Sequence, residues 1–543
     1  MHLETLPTTL KEKLDSLKDE LAIIDVREQG VFAQGHLLFA SNVPLSRFEL
    51  EFPRLVPCQT TPIVLCDDGN RESDLALQAK ELLCSFGYEF VSILKGGVQG
   101  WQNSGYELFS GVNVLSKSFG EYVEEACHTP CIDPAELLDL RTKGTQLIVL
   151  DSRPSSEYHR MSIPGAINIP GAELVYRFQE VTPDPDTLIV VNCAGRTRSI
   201  IGAQSLINAG APNRVVALKN GTMGWKLAGL ELENRKNRTA PKPDTQNLKW
   251  AQNAAQKVAT NANVNYIDWD TLDLWQEQSD KQTLYLLDVR TPEEYESGHL
   301  PKSRSAPGGQ LVQATDTFIG THGARVVLLD NDGVRARMTA SWLNQMGRKN
   351  VHVLQHSVFP RSSEKGPETR DFLGFSHHDS DSITAQELSV QTKKHTITLL
   401  DLADSRSYRN GHIKGAWFTV RSRISECLEQ IPSSNEYVLT SPCGTMAELT
   451  RPDVVNHVQA SVKTLEGGTN AWVAAGFPLT TGFECMAAQP NDVYWLPYDY
   501  GPEEAEQRMR EYLSWETNLI PQIEKEANAG FSVASPPFAK ERL

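Results

Sequence analysis

LAIIDVR (21–27), LIVLDSR (147–153), LYLLDVR (284–290) and ITLLDLA (397–403) are four versions of one phrase. Each is an apolar run that closes on an aspartate, at Asp25, Asp151, Asp288 and Asp401. Such a short run, bounded by polar residues, reads as a strand buried on both faces. A second apolar run follows each one: PIVLC ends at Cys66, LIVVNC at Cys193, RVVLLD at Asp330 and EYVLTS at Ser441. These ends lie 41, 42, 42 and 40 residues beyond the four aspartates. Chance does not hold four copies to so narrow a spread, so internal repetition governs the fold.

Further landmarks recur between and after these runs. Three copies carry a Gly-His pair (Gly35-His36, Gly298-His299, Gly411-His412), whereas the second has Met161-Ser162 followed by IPGAINIP. A helical pattern and a third apolar run come next: VSIL, VVAL, VHVL and VKTL. In three copies a Gly-rich turn then leads to Trp101, Trp225 or Trp472. In TRSIIGAQSLINAG, Ile200, Ala203 and Ile207 share one face before Gly210, the pattern of an amphipathic helix with a glycine stop. Strands alternating with helices predict an α/β fold, each repeat a mostly parallel sheet flanked by helices.

The expected boundaries are 1–113, 114–237, 238–370 and 371–485, with a helical tail over 486–543. The polar, proline-bearing stretch KNRTAPKPDTQN (236–247) separates repeats two and three, and residues 361–382 separate three and four. The tail reads as a charged amphipathic helix interrupted at Pro521, packed on a domain or a second subunit. A chain of 543 residues suits several domains of this size.

Composition narrows the function. Lys plus Arg number 52 and Asp plus Glu 68, a net charge of −16, which leaves no basic footprint for nucleic acid. No stretch has the roughly 20 apolar residues of a membrane span, and the start has no signal-peptide core. Nine scattered cysteines read as reduced thiols of a cytoplasmic protein. Cys127 and Cys131 have no second ligand pair at zinc spacing, so no metal is expected.

The chemistry concentrates after the second run of repeat two, in Cys193-Ala194-Gly195-Arg196-Thr197-Arg198-Ser199. A Cys at a strand end, a short loop and a helix start bring backbone N–H groups together above the sulfur, an anion-binding nest. The helix N-terminus, Arg196 and Arg198 should favour both a bound anion and the thiolate. Cys193 is thus the expected nucleophile, with residues 194–199 binding an anionic substrate. Asp151 and Arg153 are expected to form an internal ion pair.

The Asp-Ser-Arg opening, IPGAINIP, CAGRTRS and GTMGW resemble a rhodanese domain, the sulfurtransferase fold. The plan covers about residues 8–485 and resembles chains of four tandem rhodanese domains. The resemblance implies a persulfide cycle without a cofactor. The Cys takes sulfane sulfur from thiosulfate, releases sulfite, and passes the sulfur to cyanide, a small thiol or a sulfur-acceptor protein. Four residues between Cys193 and Arg198 match the loop of sulfur transfer, one shorter than that of rhodanese-like phosphatases. Mercaptopyruvate is the alternative donor, and a sulfur-relay protein whose inactive repeats recruit a partner is the alternative role.

The other repeats differ at this loop. Repeat one keeps Cys66, with Arg71 completing a candidate second site, but Asp67 and Asp68 oppose a thiolate and repel anions. Its interval to Gly87 is longer than that from Cys193 to Gly210, implying an added helical turn or a longer loop. Asp330 in repeat three and Ser441 in repeat four have no sulfur-acceptor chemistry, and Cys443 sits too far along.

Overall fold

The computed structural model describes residues 4–16, 19–70, 74–355, 358, 361, 363–374, 381–394, 397–525 and 529–534. Among them are four sheets with one strand order. In the second repeat the order is Cys131–Ile132, Val215–Leu218, Leu188–Asn192, Leu147–Asp151, Ile167–Asn168. Its long strands are buried almost throughout, as their unbroken Val, Ile and Leu demand. Every strand pair within a repeat is parallel, because helices such as Thr197–Asn208 carry the chain back across the sheet.

The two landmark runs are neighbours. Asp25 pairs in register with Cys66, Asp151 with Asn192, Asp288 with Leu329 and Asp401 with Thr440. The constant spacing thus places each aspartate beside the loop that follows the second run. The Asp151–Arg153 ion pair forms as expected: Arg153 Nε donates to Asp151 Oδ1 at 2.9 Å and Nη2 to Oδ2 at 2.7 Å. The same guanidinium reaches the Met161 carbonyl, and Arg27 and Arg290 repeat the arrangement. The Gly-His histidines are buried packing residues: His299 and His412 lie flat on Tyr295 and Tyr408, and His36 on Phe32.

Repeats face each other in pairs. Arg335 of repeat three reaches Glu173 of repeat two at 2.7 Å, while Arg198 of repeat two reaches Gln310 of repeat three at 3.3 Å. Arg335 and Arg198 occupy equivalent positions, as do Glu173 and Gln310, so this interface is nearly self-complementary. Repeats one and four meet through Arg421 on Glu49 and Ser422 on Glu28. Thr321–His322 leaves repeat three to pair antiparallel with Leu21–Ala22 of repeat one. These contacts alter one expectation. Helix Thr197–Asn208 is buried on nearly all sides, its polar face covered by neighbours such as Trp342, whose Nε1 donates to Ser205.

The tail departs from expectation too. Its helices span Pro502–Thr517 and Leu519–Lys525, so the break falls at Asn518 and Pro521 lies inside the second helix. A proline in the first turn costs no hydrogen bond, since those N–H groups have no helical partner anyway. In repeat one the helix after Cys66 is Leu75–Ser85, no longer than its counterpart, so the added residues lengthen the loop.

Repeat four has Ala403 where the others have Arg, and Asp401 has no ion pair among the described residues. Burial pushes its carboxyl up to about 7, against which the Ala403 amide at 2.9 Å is a weak opposing force. A carboxyl raised in the fold stabilises fully below its unfolded value, and that contribution is lost as pH rises through about 7. Asp401→Asn should therefore stabilise repeat four by on the order of 3 kcal/mol at pH 8. Hydrogen exchange of peptides covering Thr398–Asp401 should slow in the variant, and the gap should narrow toward pH 5. An equal gap at both pH values would contradict the assignment.

Candidate active site

Cys193 is the first residue past strand Leu188–Asn192 and is 2% exposed. Its Sγ donates to Ser199 Oγ at 3.5 Å, and that hydroxyl donates to the Arg196 carbonyl at 2.7 Å. The loop is backed by the Gly-rich turn of its own repeat. Thr222 N–H donates to the Cys193 carbonyl at 2.9 Å and Met223 N–H to Ala194 at 3.0 Å. Gly221 has φ +53°, and a Cβ there would collide with the Cys193 carbonyl, so only glycine fits. Gly97 and Gly468 back the equivalent loops of repeats one and four in the same way, which explains the recurring turn before tryptophan.

Both arginines of the loop are already paired. Arg198 is held by a two-pronged pair with Glu157, at 2.7 and 2.9 Å. Arg196 turns away from the sulfur toward helix Val114–Cys127, where its Nε and Nη2 both donate to Glu121 at 2.7 Å and Glu124 joins them. Arg196 therefore anchors the loop, while Arg198 is the guanidinium that acts on Cys193. Gly195 and Thr197 are buried, Ala194 half-buried, and the Thr197 hydroxyl has no partner among the described residues.

Charge and burial oppose each other at the sulfur. Burial pushes the Cys193 thiol above its ordinary range; Arg198 and the Ser199 hydroxyl and amide pull it back, and Glu516 adds to the rise. The net direction is upward, contrary to the expected thiolate. The reason is that burial outweighs Arg198, itself paired with Glu157, and the Ser199 hydrogen bonds. Tyr512, Leu513 and Glu516 of helix Pro502–Thr517 lie over Gly195. On the other side of the loop, Tyr498 and Thr222 share a hydroxyl hydrogen bond of 2.9 Å.

The remaining loops show what fills the same place elsewhere. In repeat three the Asp330 carboxylate takes the Gly333 and Ala336 amides at 3.0 and 2.9 Å. In repeat four Ser441 Oγ accepts from Ala447 N–H at 3.3 Å, and Cys443 lies exposed outside. In repeat one Asp67 accepts from Gly69 and Ala76 at 2.8 and 3.1 Å, and Cys66 is fully buried. Burial first, then Asp25 and Asp67, push the Cys66 thiol up, with Arg27 opposing. Arg71 lies outside the described residues.

Sequence reasoning did not find Glu157, Glu121, Glu124, Glu516, Tyr512 or Tyr498. Glu157 could have been found, since it follows Asp151 at the interval that separates Glu294 from Asp288, and Glu294 pairs with Arg335 as Glu157 does with Arg198. The tail residues belong to no repeat, and nothing local ties them to Cys193. Labelling of Cys193 by iodoacetamide, followed on its own peptide, should keep rising through pH 9. Arg198→Met should shift that rise further upward, whereas a plateau below pH 8 would contradict this balance of forces.

The family model of the rhodanese-like domain matches residues 6–104, 133–228 and 270–359. A curated 3-mercaptopyruvate sulfurtransferase of Escherichia coli is 28% identical over 178 residues, 28% of this chain and 62% of that protein. An HTH-type transcriptional regulator of Mycobacterium tuberculosis is 41% identical over 102 residues, 19% of this chain and 44% of that protein. The chain thus matches less than two thirds of the length of these curated relatives. The crystal structure of a thiosulfate sulfurtransferase from Pseudomonas aeruginosa is 44% identical, with a TM-score of 0.92 over 98% of this chain and 100% of that one. With three matched segments and a likeness that runs nearly end to end, the chain belongs to the rhodanese-like domain family.

Proposed function

We propose that the protein is a thiosulfate sulfurtransferase that works through a persulfide on Cys193. One observation carries the reading: among the described residues, the loop of repeat two sets the Cys193 thiol at the Ser199 amide and hydroxyl with Arg198 acting on it, while in repeat one Asp67 takes the loop amides and Cys66 has two aspartates beside it. The Pseudomonas relative, similar over the whole length, supports thiosulfate as the donor. The fourth sheet, outside the segments matched by the family, repeats the strand order and is read as a fourth rhodanese-like unit without catalytic function. Boundaries near residues 113, 237, 370 and 485 follow from the repeat.

In the proposed cycle the Cys193 sulfur attacks the outer sulfur of thiosulfate. The S–S bond of the donor breaks, its electron pair leaves on sulfite, and the thiol proton departs with it as hydrogensulfite. Cys193 is left as a persulfide anion facing the Ser199 amide and Arg198, which favour its charge. Cyanide or a thiol then attacks the terminal sulfur, and the released Cys193 sulfur takes a proton from the acceptor thiol or from solvent to restore the thiol. No metal or cofactor is needed. The loop residues Ala194 to Ser199 line the donor's place in this reading, Arg198 by its charge and Arg196 by anchoring the loop.

The Cys66 loop is read as a bystander. Asp67 already occupies its amides as a resident carboxylate, and an incoming anion would have to displace it. The high exposure cost of Cys193 favours small donors and acceptors over a protein partner. No helix among the described residues is long and apolar enough to cross a membrane.

Cys193→Ser should lower thiosulfate-to-cyanide transfer by at least about a thousandfold, as expected for loss of a nucleophile. Cys66→Ser should keep most of the wild-type rate. Intact-mass and peptide analysis after thiosulfate treatment should place one added sulfur on the Cys193 peptide. Retained turnover in Cys193→Ser, or sulfur on Cys66 alone, would reject the assignment, and faster turnover of mercaptopyruvate would change the donor.

A further inference from the structure

The tail places a carboxyl group against the Cys193 loop. Glu516 is 2% exposed, and its Oε2 has no hydrogen-bond partner among the described residues. That oxygen points at the nucleophile's loop, lying 3.0 Å from where a Cβ on Gly195 would stand. Its other oxygen accepts from Tyr512 OH at 3.1 Å. The side chain is held there by its helix: Met509 and Leu513 pack with Met223 of the Gly-rich turn, and Trp515 covers Gly111. A buried carboxyl with one oxygen unused, aimed at the Cys193 loop, is not explained by packing alone.

The groups facing Glu516 come from three elements. Helix Val114–Cys127 supplies Lys117, whose ammonium lies 4.9 Å from the Tyr512 ring centre and 4.5 Å from that of Trp515, and also Glu121. The Cys193 loop supplies Arg196, itself paired with Glu121, with Arg198 and Cys193 behind it. The tail supplies Tyr512, and Tyr494 lies behind it. Asp316 acts on Lys117 from repeat three. Among the described residues no cation lies within hydrogen-bond reach of Glu516 Oε2.

We propose that Glu516 is a specificity-determining residue of the Cys193 site, which excludes anionic donors while it is a carboxylate and admits them, donating a hydrogen bond to a donor oxygen, when it is protonated. This rests on the sulfurtransferase reading for its substrate, although the charge selection itself does not. Burial pushes the Glu516 carboxyl up to about 7, with Lys117 opposing, so the change of state falls in the neutral range. Burial also brings the Lys117 ammonium down to about 8.

The test compares two alkylating reagents of similar size at Cys193, neutral iodoacetamide and anionic iodoacetate, on the full-length protein between pH 6 and 8.5. Ionisation of Cys193 affects both reagents alike and cancels in their rate ratio. The preference for iodoacetamide should grow about tenfold across this range in the wild type and stay flat in Glu516→Gln. Lys117→Met should still show the rise, moved to higher pH because Lys117 no longer opposes burial, which separates Glu516 from loss of the lysine charge. If Glu516→Gln does not fold, Glu516→Gln with Lys117→Met carries the same comparison. A ratio independent of pH in the wild type, a rise that persists without Glu516, or no labelling of Cys193 by either reagent would overturn the proposal. For thiosulfate, KM should rise with pH in the wild type, with little change in kcat, and not in Glu516→Gln. Absence of thiosulfate turnover alongside a Glu516-dependent ratio would reject the donor and keep the charge selection.

Discussion

The first amides of the helix that follows the second long strand must be satisfied in every repeat, and the structure solves this one requirement in four ways. A helix start presents N–H groups with no partner of their own, and burial makes an unmet one expensive. Repeat three meets the need with the carboxylate of Asp330, repeat four with the hydroxyl of Ser441, and repeat one with Asp67, one place beyond its cysteine. Repeat two has a sulfur there, facing the Ser199 amide and hydroxyl. In the proposed reading, the open place belongs to the repeat that does not supply its own acceptor oxygen. Repeats one and three set a carboxyl at these amides and repeat four a neutral hydroxyl, so each of the three loops carries its own acceptor oxygen.

That view gives the silent repeats a physical role. Equivalent surfaces of repeats two and three meet, and so do those of one and four, so each member covers a face its partner would otherwise expose. Arg335 shows the exchange most plainly. It holds the position of Arg198 but bonds Asp332, Glu173 and Glu294, spending its charge wholly on the fold. Arg198 makes the same kind of pair with Glu157, yet still acts on Cys193. The difference lies in what stands beside each: two aspartates in one loop, a thiol in the other.

Much of this was legible in the sequence because it is written in local, periodic terms. The fixed spacing between Asp151 and Cys193 showed the repeat, and the unbroken apolar runs read as buried strands of a mostly parallel sheet; that the two strands lie side by side came from the structure. The cysteine followed by Gly195 and a helix start identified the loop. What was not legible depends on contacts between distant segments. The acidic partners of Arg196 sit on the helix before the repeat's first strand, and the strand Thr321–His322 joins a sheet three hundred residues away in sequence. Composition could show two arginines near a thiol but not that carboxylates had claimed both. The same blindness hid Glu516, because the tail has no repeat against which to read it.

These hidden contacts reverse the electrostatic reading of the site. Taken alone, a helix N-terminus and two guanidinium groups favour a thiolate. Once Glu121, Glu124 and Glu157 are counted, little net positive charge remains, and burial under Tyr512 and Glu516 favours the neutral thiol. A resting thiol is a sensible state for a nucleophile that must survive between turnovers, since the thiolate is the form that oxidises. An anionic donor seated on the loop amides would bring its own acceptor for the thiol proton. In this arrangement nucleophilicity is not stored in the resting thiol; in the proposed cycle it arises as the donor binds.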